Sequence, residues 1–260
     1  MNRLQRWLQQ RFLRKHRIPL SLWKTALSKA PVLVQLSPAE RHRLRELASH
    51  FLGDKSIVGV QGLTVTDEMR VIIAAQACLL ILNLDLGYFD GWREIIVYPD
   101  SFVVARQESD GAGVVHRNRR ALSGEAWGQG PVILSWLDAQ PDAYSGRRGG
   151  NVILHEFAHK LDMLNGAANG MPPLHADMSR PDWTEALSAA YADLERQLQV
   201  HHQSTVNPYA LESPAEFFAV LTELFFELPR SLRETYPKVY DLFKQFYRQD
   251  PLSRIEPPES

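Results

Sequence analysis

Apolar residues recur at helical spacing through much of the chain, and shorter alternating runs interrupt them. Residues 37–52, SPAERHRLRELASHFL, combine helical periodicity with a capping-box start in Ser37 and Glu40, and so predict a helix. Thr66-Asp67-Glu68 opens a second, strongly apolar helix that runs to about Leu82. Ile95 to Tyr98, Phe102 to Ala105 and Val132 to Trp136 predict short strands. Gly, Ser, Asp and Arg crowd 107–130 and 138–150, which predicts loops there. Helices are predicted from Asn151 to about Asn165, from Pro181 to His201, from Ser213 to Leu228 and over 231–248, with a loop at 166–180. A mixed helix–strand first part followed by an all-helical C-terminal part points to an α+β fold with a small mixed sheet rather than regular βαβ alternation.

Composition narrows the class. The 260 residues are 45% apolar and 23% charged, enough to bury a core, and the formal net charge of −1 gives no global field favouring nucleic acid. No DNA-reading motif is visible, so direct nucleic-acid binding is not expected. The longest apolar run, 71–82, contains Gln76 and is too short to span a bilayer. The single cysteine, Cys78, lies in an apolar run and reads as a core residue. The first 17 residues carry six Arg/Lys and no following apolar stretch, which predicts a basic amphipathic helix packing Leu4, Trp7, Leu8 and Phe12 on the body rather than a secretory signal. The expected organisation is a basic helical segment over 1–35, one domain over 36–250 and a flexible tail over 251–260, in a cytoplasmic protein.

The chemistry concentrates in HEFAHKLD, residues 155–162. On a helix, positions i and i+4 differ by about 40° around the axis, so His155 and His159 point the same way and can bind one Zn²⁺. Glu156 lies about 100° round, flanking such an ion rather than ligating it, where it can take a proton from an attacking water and pass it to a leaving amine. This is the metallopeptidase arrangement. A pair of hydrogen-bonded core histidines with no metal is the plainer alternative.

A catalytic zinc usually has three protein ligands. The metzincin pattern is excluded, because Asn165 stands where its third histidine belongs and Asp162 where its glycine does. The third ligand must come from further on, among His175, Asp177, Glu185, Glu195, His201, His202, Glu212, Glu216 and Glu223. Glu216 is preferred, since SPAEFFAVLTELFF is too apolar to be exposed and a buried carboxylate needs a partner. Yet Ser213-Pro214-Ala215-Glu216 also matches a capping box, in which Glu216 would bond only its own helix start. Glu223, on nearly the same face, reads either as an acceptor behind a ligand histidine or as a solvated helix residue. Asp162 reads as an orienting residue for a ligand or a loop, or equally as a surface ion pair. Tyr209, just before the Glu216 helix, could donate to an oxyanion or serve only as a turn residue.

Several blocks in order, GLTVTDEMRVIIAAQACLL, IIVYPDSFVV, GPVILSW, NVILHEFAHKLDMLNG and NPYALESPAEFFAVLTELFF, resemble the Mlc titration factor A family of gluzincin-type zinc peptidases from about residue 50 to 248. The resemblance implies a zincin-like core, one Zn²⁺ per chain on His155, His159 and Glu216, Glu156 as general base and Tyr209 as transition-state hydrogen-bond donor. It also implies a cytoplasmic aminopeptidase acting on peptides. Binding of the transcriptional repressor Mlc, which modulates the glucose phosphotransferase system, is implied as well. A regulator that sequesters the repressor without catalysis, its zinc being structural, is the alternative. In zincins an edge strand above the motif helix pairs with the extended substrate, and Val132 to Trp136 is the candidate here, with an interior strand as the other reading.

Overall fold

The computed structural model describes residues 17–100, 102–109, 115–122, 124–126, 130–140, 150–201 and 204–255, with backbone alone for the strands between 102 and 126 and for His201. Leu4, Trp7, Leu8, Phe12 and His202 therefore lie outside the described residues. Its main helices are α1 (Leu20–Lys29), α2 (Pro38–Asp54), α3 (Asp67–Leu80), α4 (Val152–Asp162), α5 (Arg180–His201), α6 (Pro214–Glu227) and α7 (Pro237–Tyr247). The strands are β1 (Ser56–Gly59), β2 (Glu94–Tyr98), β3 (Phe102–Ser109), β4 (Val115–Leu122), β5 (Gly124–Ala126) and β6 (Val132–Ser135).

One sheet has the order β1-β2-β6-β5. Its first three strands are parallel, and β5 runs antiparallel along β6, pairing Gly124 with Leu134 and Ala126 with Val132. Strands β3 and β4 form a separate antiparallel pair, from Phe102↔Leu122 to Ser109↔Val115. This is the expected α+β class, with a helical C-terminal part.

Three expectations change. Residues 107–130 are not all loop, because β4, β5 and the end of β3 fall inside them; backbone pairing supplies their hydrogen bonds whether or not the side chains alternate. Val132–Ser135 is interior, held by β2 on one side and β5 on the other, so among the described residues β5 forms that edge. The helix expected over 231–248 is two, Pro229–Thr235 and Pro237–Tyr247. Pro237 has no N–H to continue the first and biases Tyr236 away from helical geometry. Strand β1 had no counterpart among the predicted elements.

All eleven residues of α4 are buried, so the polar groups of the motif are enclosed. Its far face is anchored by Phe157, which meets Phe51, Phe89 and Trp92 with ring centroids 5.3–5.8 Å away. Burying a ring of this kind stabilises by about 1.5–3 kcal/mol. Helix α4 packs on β5 and β6, on α3 and on α6. Helix α6 carries Phe218 and Phe225 into a second aromatic cluster with Trp183, Phe243, Phe246 and Tyr247. The two helices that bear the motif and Glu216 are thus each fixed from behind by aromatic packing. Cys78 is fully buried, and burial pushes its thiol pKa up, as a core residue requires. Among the described residues no helix is long and apolar enough to cross a membrane.

Candidate metal centre

Asn151 starts the site. Its side chain caps α4 by accepting from the Leu154 N–H at 3.1 Å, and its amide donates to Gln76 Oε1 at 2.6 Å and Glu227 Oε1 at 3.0 Å. The helix end is therefore tied to both α3 and α6 before the histidines are reached. Burial pushes the Glu227 carboxyl up to about 8; the Asn151 hydrogen bond opposes that rise and the nearby Glu223 adds to it.

One turn further, the Nε2 atoms of His155 and His159 face each other at 3.2 Å, their rings 4.8 Å apart and nearly perpendicular. From α6, Glu216 brings Oε2 to 2.9 Å from His155 Nε2 and 3.4 Å from His159 Nε2. A four-coordinate tetrahedral ion with bonds of about 2.0–2.1 Å needs neighbouring ligand atoms about 3.3 Å apart. The three observed separations bracket that value. Among the described residues these three form a group whose ligand atoms all lie within 4.8 Å of one another.

The field around them also calls for a cation. His155 lies between two carboxylates, with Nδ1 2.6 Å from Glu223 Oε1 on the reverse side of the ring. Burial alone would lower the His155 pKa, but the bonds to Glu216 and Glu223 raise it well above the ordinary value. Burial would raise Glu216, and the two imidazoles instead hold it far below the usual carboxylate range. A proton or a metal ion answers the same arrangement of charge. A carboxylate on Nδ1 places the ring hydrogen there and leaves the Nε2 lone pair facing inward.

Glu216 also settles which half of its capping box exists. Ser213 Oγ accepts from the Glu216 N–H at 3.1 Å, so the serine caps α6, while the glutamate carboxylate goes to the histidines.

The family profile of the glucose-regulated metallo-peptidase M90 matches residues 4–248. The chain belongs to the M90 family. It is 40% identical to the Mlc titration factor A of Klebsiella pneumoniae (strain 342), over 90% of this chain and 88% of that protein. The protein of the same name from Pectobacterium atrosepticum is 40% identical over 91% and 89% of the two chains. That of Salmonella arizonae is 41% identical over 90% and 93%.

In this M90 chain the remaining candidates sort by position. Glu223 is 4% exposed and bonds both His155 Nδ1 and the Gly150 N–H, so it stands behind a histidine rather than in solvent. His175 is engaged elsewhere, with Nε2 2.8 Å from the Phe246 carbonyl and its ring stacked on Phe246. Glu185 pairs with Lys238 at the surface. Glu156 is 4% exposed beside His155, and its charge adds to the rise of the His155 pKa. Tyr209 sits on a 3-10 turn, Pro208–Glu212, capped by Asn207, with its ring centroid 6.0 Å from that of His155. Asp162 is fully buried and binds a loop, which removes the surface ion-pair reading.

Two residues that support the site were not singled out among the candidates. Asn151 stands before the apolar run where a cap is common, and that place could have flagged it. Lys160 is 2% exposed, donates to the Gly130 carbonyl at 2.7 Å and lies 4.7 Å from the Trp92 ring centre. Burial and the neighbouring Lys55 bring its pKa down to about 8. Through Gly130 it ties the motif helix to the residues just before β6, and nothing in a lysine one residue after a histidine announces that.

Proposed function

We propose that this chain is a zinc-dependent peptidase of aminopeptidase type, with one Zn²⁺ held by His155, His159 and Glu216. The observation that carries the reading is the approach of Glu216 Oε2 to both histidine Nε2 atoms from a separate helix. Two imidazoles and one carboxylate are a donor set that zinc takes in catalytic sites. Zinc bound there would polarise the substrate carbonyl and acidify water.

The protein residues carry the proton and the charge. Glu156, buried on the same helix, accepts a proton from the attacking water and delivers it to the departing amine. Tyr209 donates a hydrogen bond to the oxygen that becomes negative in the tetrahedral species. Glu223 holds the His155 ring in the orientation that presents Nε2. The short edge strand β5, next to α4, is the place for an extended peptide to pair.

The test is peptide hydrolysis by Glu156→Gln, with zinc content measured alongside. Retained zinc with activity lower by about 10²–10⁴-fold supports the assignment. Full activity in that variant would sink it. Cleavage of a free N-terminal peptide but not of its acetylated counterpart supports the aminopeptidase type, and equal cleavage of both removes it.

The relatives' name, Mlc titration factor A, favours a second activity, binding of Mlc. The family resemblance makes Mlc a transcriptional repressor, and binding it would modulate the glucose phosphotransferase system in the cytoplasm. A protein that titrates a repressor acts by stoichiometry, and this requires no turnover. Binding of purified Mlc by Glu156→Gln as tightly as by the unaltered chain supports a surface distinct from the catalytic groups. If neither form binds Mlc, this second activity falls and the peptidase reading stands.

A further inference from the structure

Two ligand histidines ride on α4 and the third ligand on α6, so the site depends on how the ends of these helices are held apart. The holding element is the loop after α4. Asp162, the last residue of α4, is fully buried, and its Oδ2 accepts from the N–H groups of Asn169 at 2.8 Å and Gly170 at 2.7 Å. Gly170 has φ +80°, and a Cβ placed on it would lie 2.5 Å from the Pro214 carbonyl oxygen and 3.0 Å from its carbon. Only glycine fits this approach, for both reasons at once. Pro214 is the first residue of α6, two before Glu216. The Gly170 carbonyl in turn accepts from Trp183 Nε1 at 2.9 Å, and that ring is stacked on Phe243. A continuous path of contacts, through the Asp162 carboxylate and then the backbone of Gly170 and Pro214, therefore runs from the C-terminal end of the histidine helix to the first turn of the glutamate helix.

We propose that Asp162 and Gly170 are positioning residues, a brace that sets Glu216 opposite His155 and His159. The inference rests on the metal-ligand reading above. In the bland alternative the same contacts only stabilise the fold, and the two differ in what they do to a folded molecule. A brace lowers the metal affinity of the folded chain. A purely structural loop lowers the melting temperature of the metal-free chain and leaves that affinity alone.

The experiment uses the full chain and zinc itself. The zinc dissociation constant is measured by competition with a chromophoric chelator, and the visible spectrum of the cobalt-substituted protein is recorded as a probe of the ligand set. Gly170→Ala and Asp162→Ala are expected to weaken zinc binding about 10- to 100-fold and to alter the cobalt spectrum. Asp162→Asn, whose side-chain oxygen can still accept both N–H groups, is expected to restore binding to within about threefold of the unaltered chain. Zinc affinity unchanged within about twofold in both disruptive variants, with only the melting temperature lowered, would overturn the proposal. Where Gly170→Ala and Asp162→Ala do not fold, Trp183→Phe decides. It removes the bond to the Gly170 carbonyl together with part of the ring packing on Phe243, so the melting temperature of the metal-free chain is measured beside it. Zinc affinity unchanged counts against the brace, and affinity weakened about 10-fold or more in a chain that remains folded counts for it. An unaltered chain that binds no zinc removes the metal reading itself, which is a separate outcome.

Discussion

The tetrapeptide Ser-Pro-Ala-Glu occurs twice, at 37–40 and at 213–216, and begins a helix each time. Both serines cap their helix through the glutamate N–H, at 3.3 Å and 3.1 Å. The glutamates then part. Glu40 turns back to the Ser37 N–H at 2.8 Å and completes a capping box, while also accepting from Arg254 at 2.8 Å. Glu216 leaves its own helix start and goes to the two histidines. The backbone differs accordingly: φ at the capping serine is −62° in the first and −165° in the second. That rotation redirects the serine N–H, so the local bond that captures Glu40 is not made by Glu216. The same four residues thus serve as a helix start in one place and as a helix start plus a partner for two histidines in the other. Tertiary surroundings choose between them.

Predictions that break or sharpen this contrast follow in order of size. Glu216→Ala should weaken zinc binding by more than about 100-fold, beyond what is lost at residues behind the ligands, whereas Glu40→Ala should leave it unchanged. Chelator competition on both variants measures this, and equal zinc affinity in the two would erase the distinction. Glu223→Ala should weaken zinc binding by about 10- to 100-fold, because His155 loses the acceptor that orients its ring. Isothermal titration of the metal-free protein is a suitable measurement.

Glu40→Ala should instead cost about 1 kcal/mol of stability, read from urea unfolding. The pH dependence has a definite sign. Burial would raise the Glu40 pKa, but the Ser37 N–H and Arg254 lower it below the ordinary 4.5. A depressed carboxyl stabilises above its unfolded value and loses that contribution as pH falls through its folded value. The gap between Glu40→Ala and the unaltered chain should therefore be full above about pH 5 and shrink as acid is added. A gap that grows toward acid would contradict this. A last effect, of similar size, concerns what the two sites share. Ser37→Ala and Ser213→Ala should each cost about 0.5–2 kcal/mol of stability, since both serines make the same cap bond. A cost confined to one of them would mean the caps are not equivalent.

Much of the site was legible because its signals are local. The i, i+4 spacing of His155 and His159 and the apolar run around them need only helical geometry. The apolar flanks of Glu216 and Glu223 predict burial, and burial of a carboxylate demands a partner. The strands were less legible. Strand β5 is three residues long, and β3 and β4 pair through backbone groups across a stretch rich in turn formers, so side-chain pattern carries little information there. Whether Val132–Ser135 lies at an edge depends on a partner strand, which no pattern within the segment reveals. Lys160 is the extreme case, a cation inside an apolar helix whose acceptor is a carbonyl thirty residues earlier.

The amino-acid sequence by itself determined the helix, its histidine pair and the need of each buried carboxylate for a partner. Periodicity and desolvation act on a residue and its near neighbours, so they can be read along the chain. Only the tertiary structure decided which carboxylate meets the histidines and which stands behind them. That choice lies between hydrogen-bond partners of similar strength. It is settled by how α4 and α6 are packed and by the rotation at Ser213, both set by contacts between segments far apart in the chain.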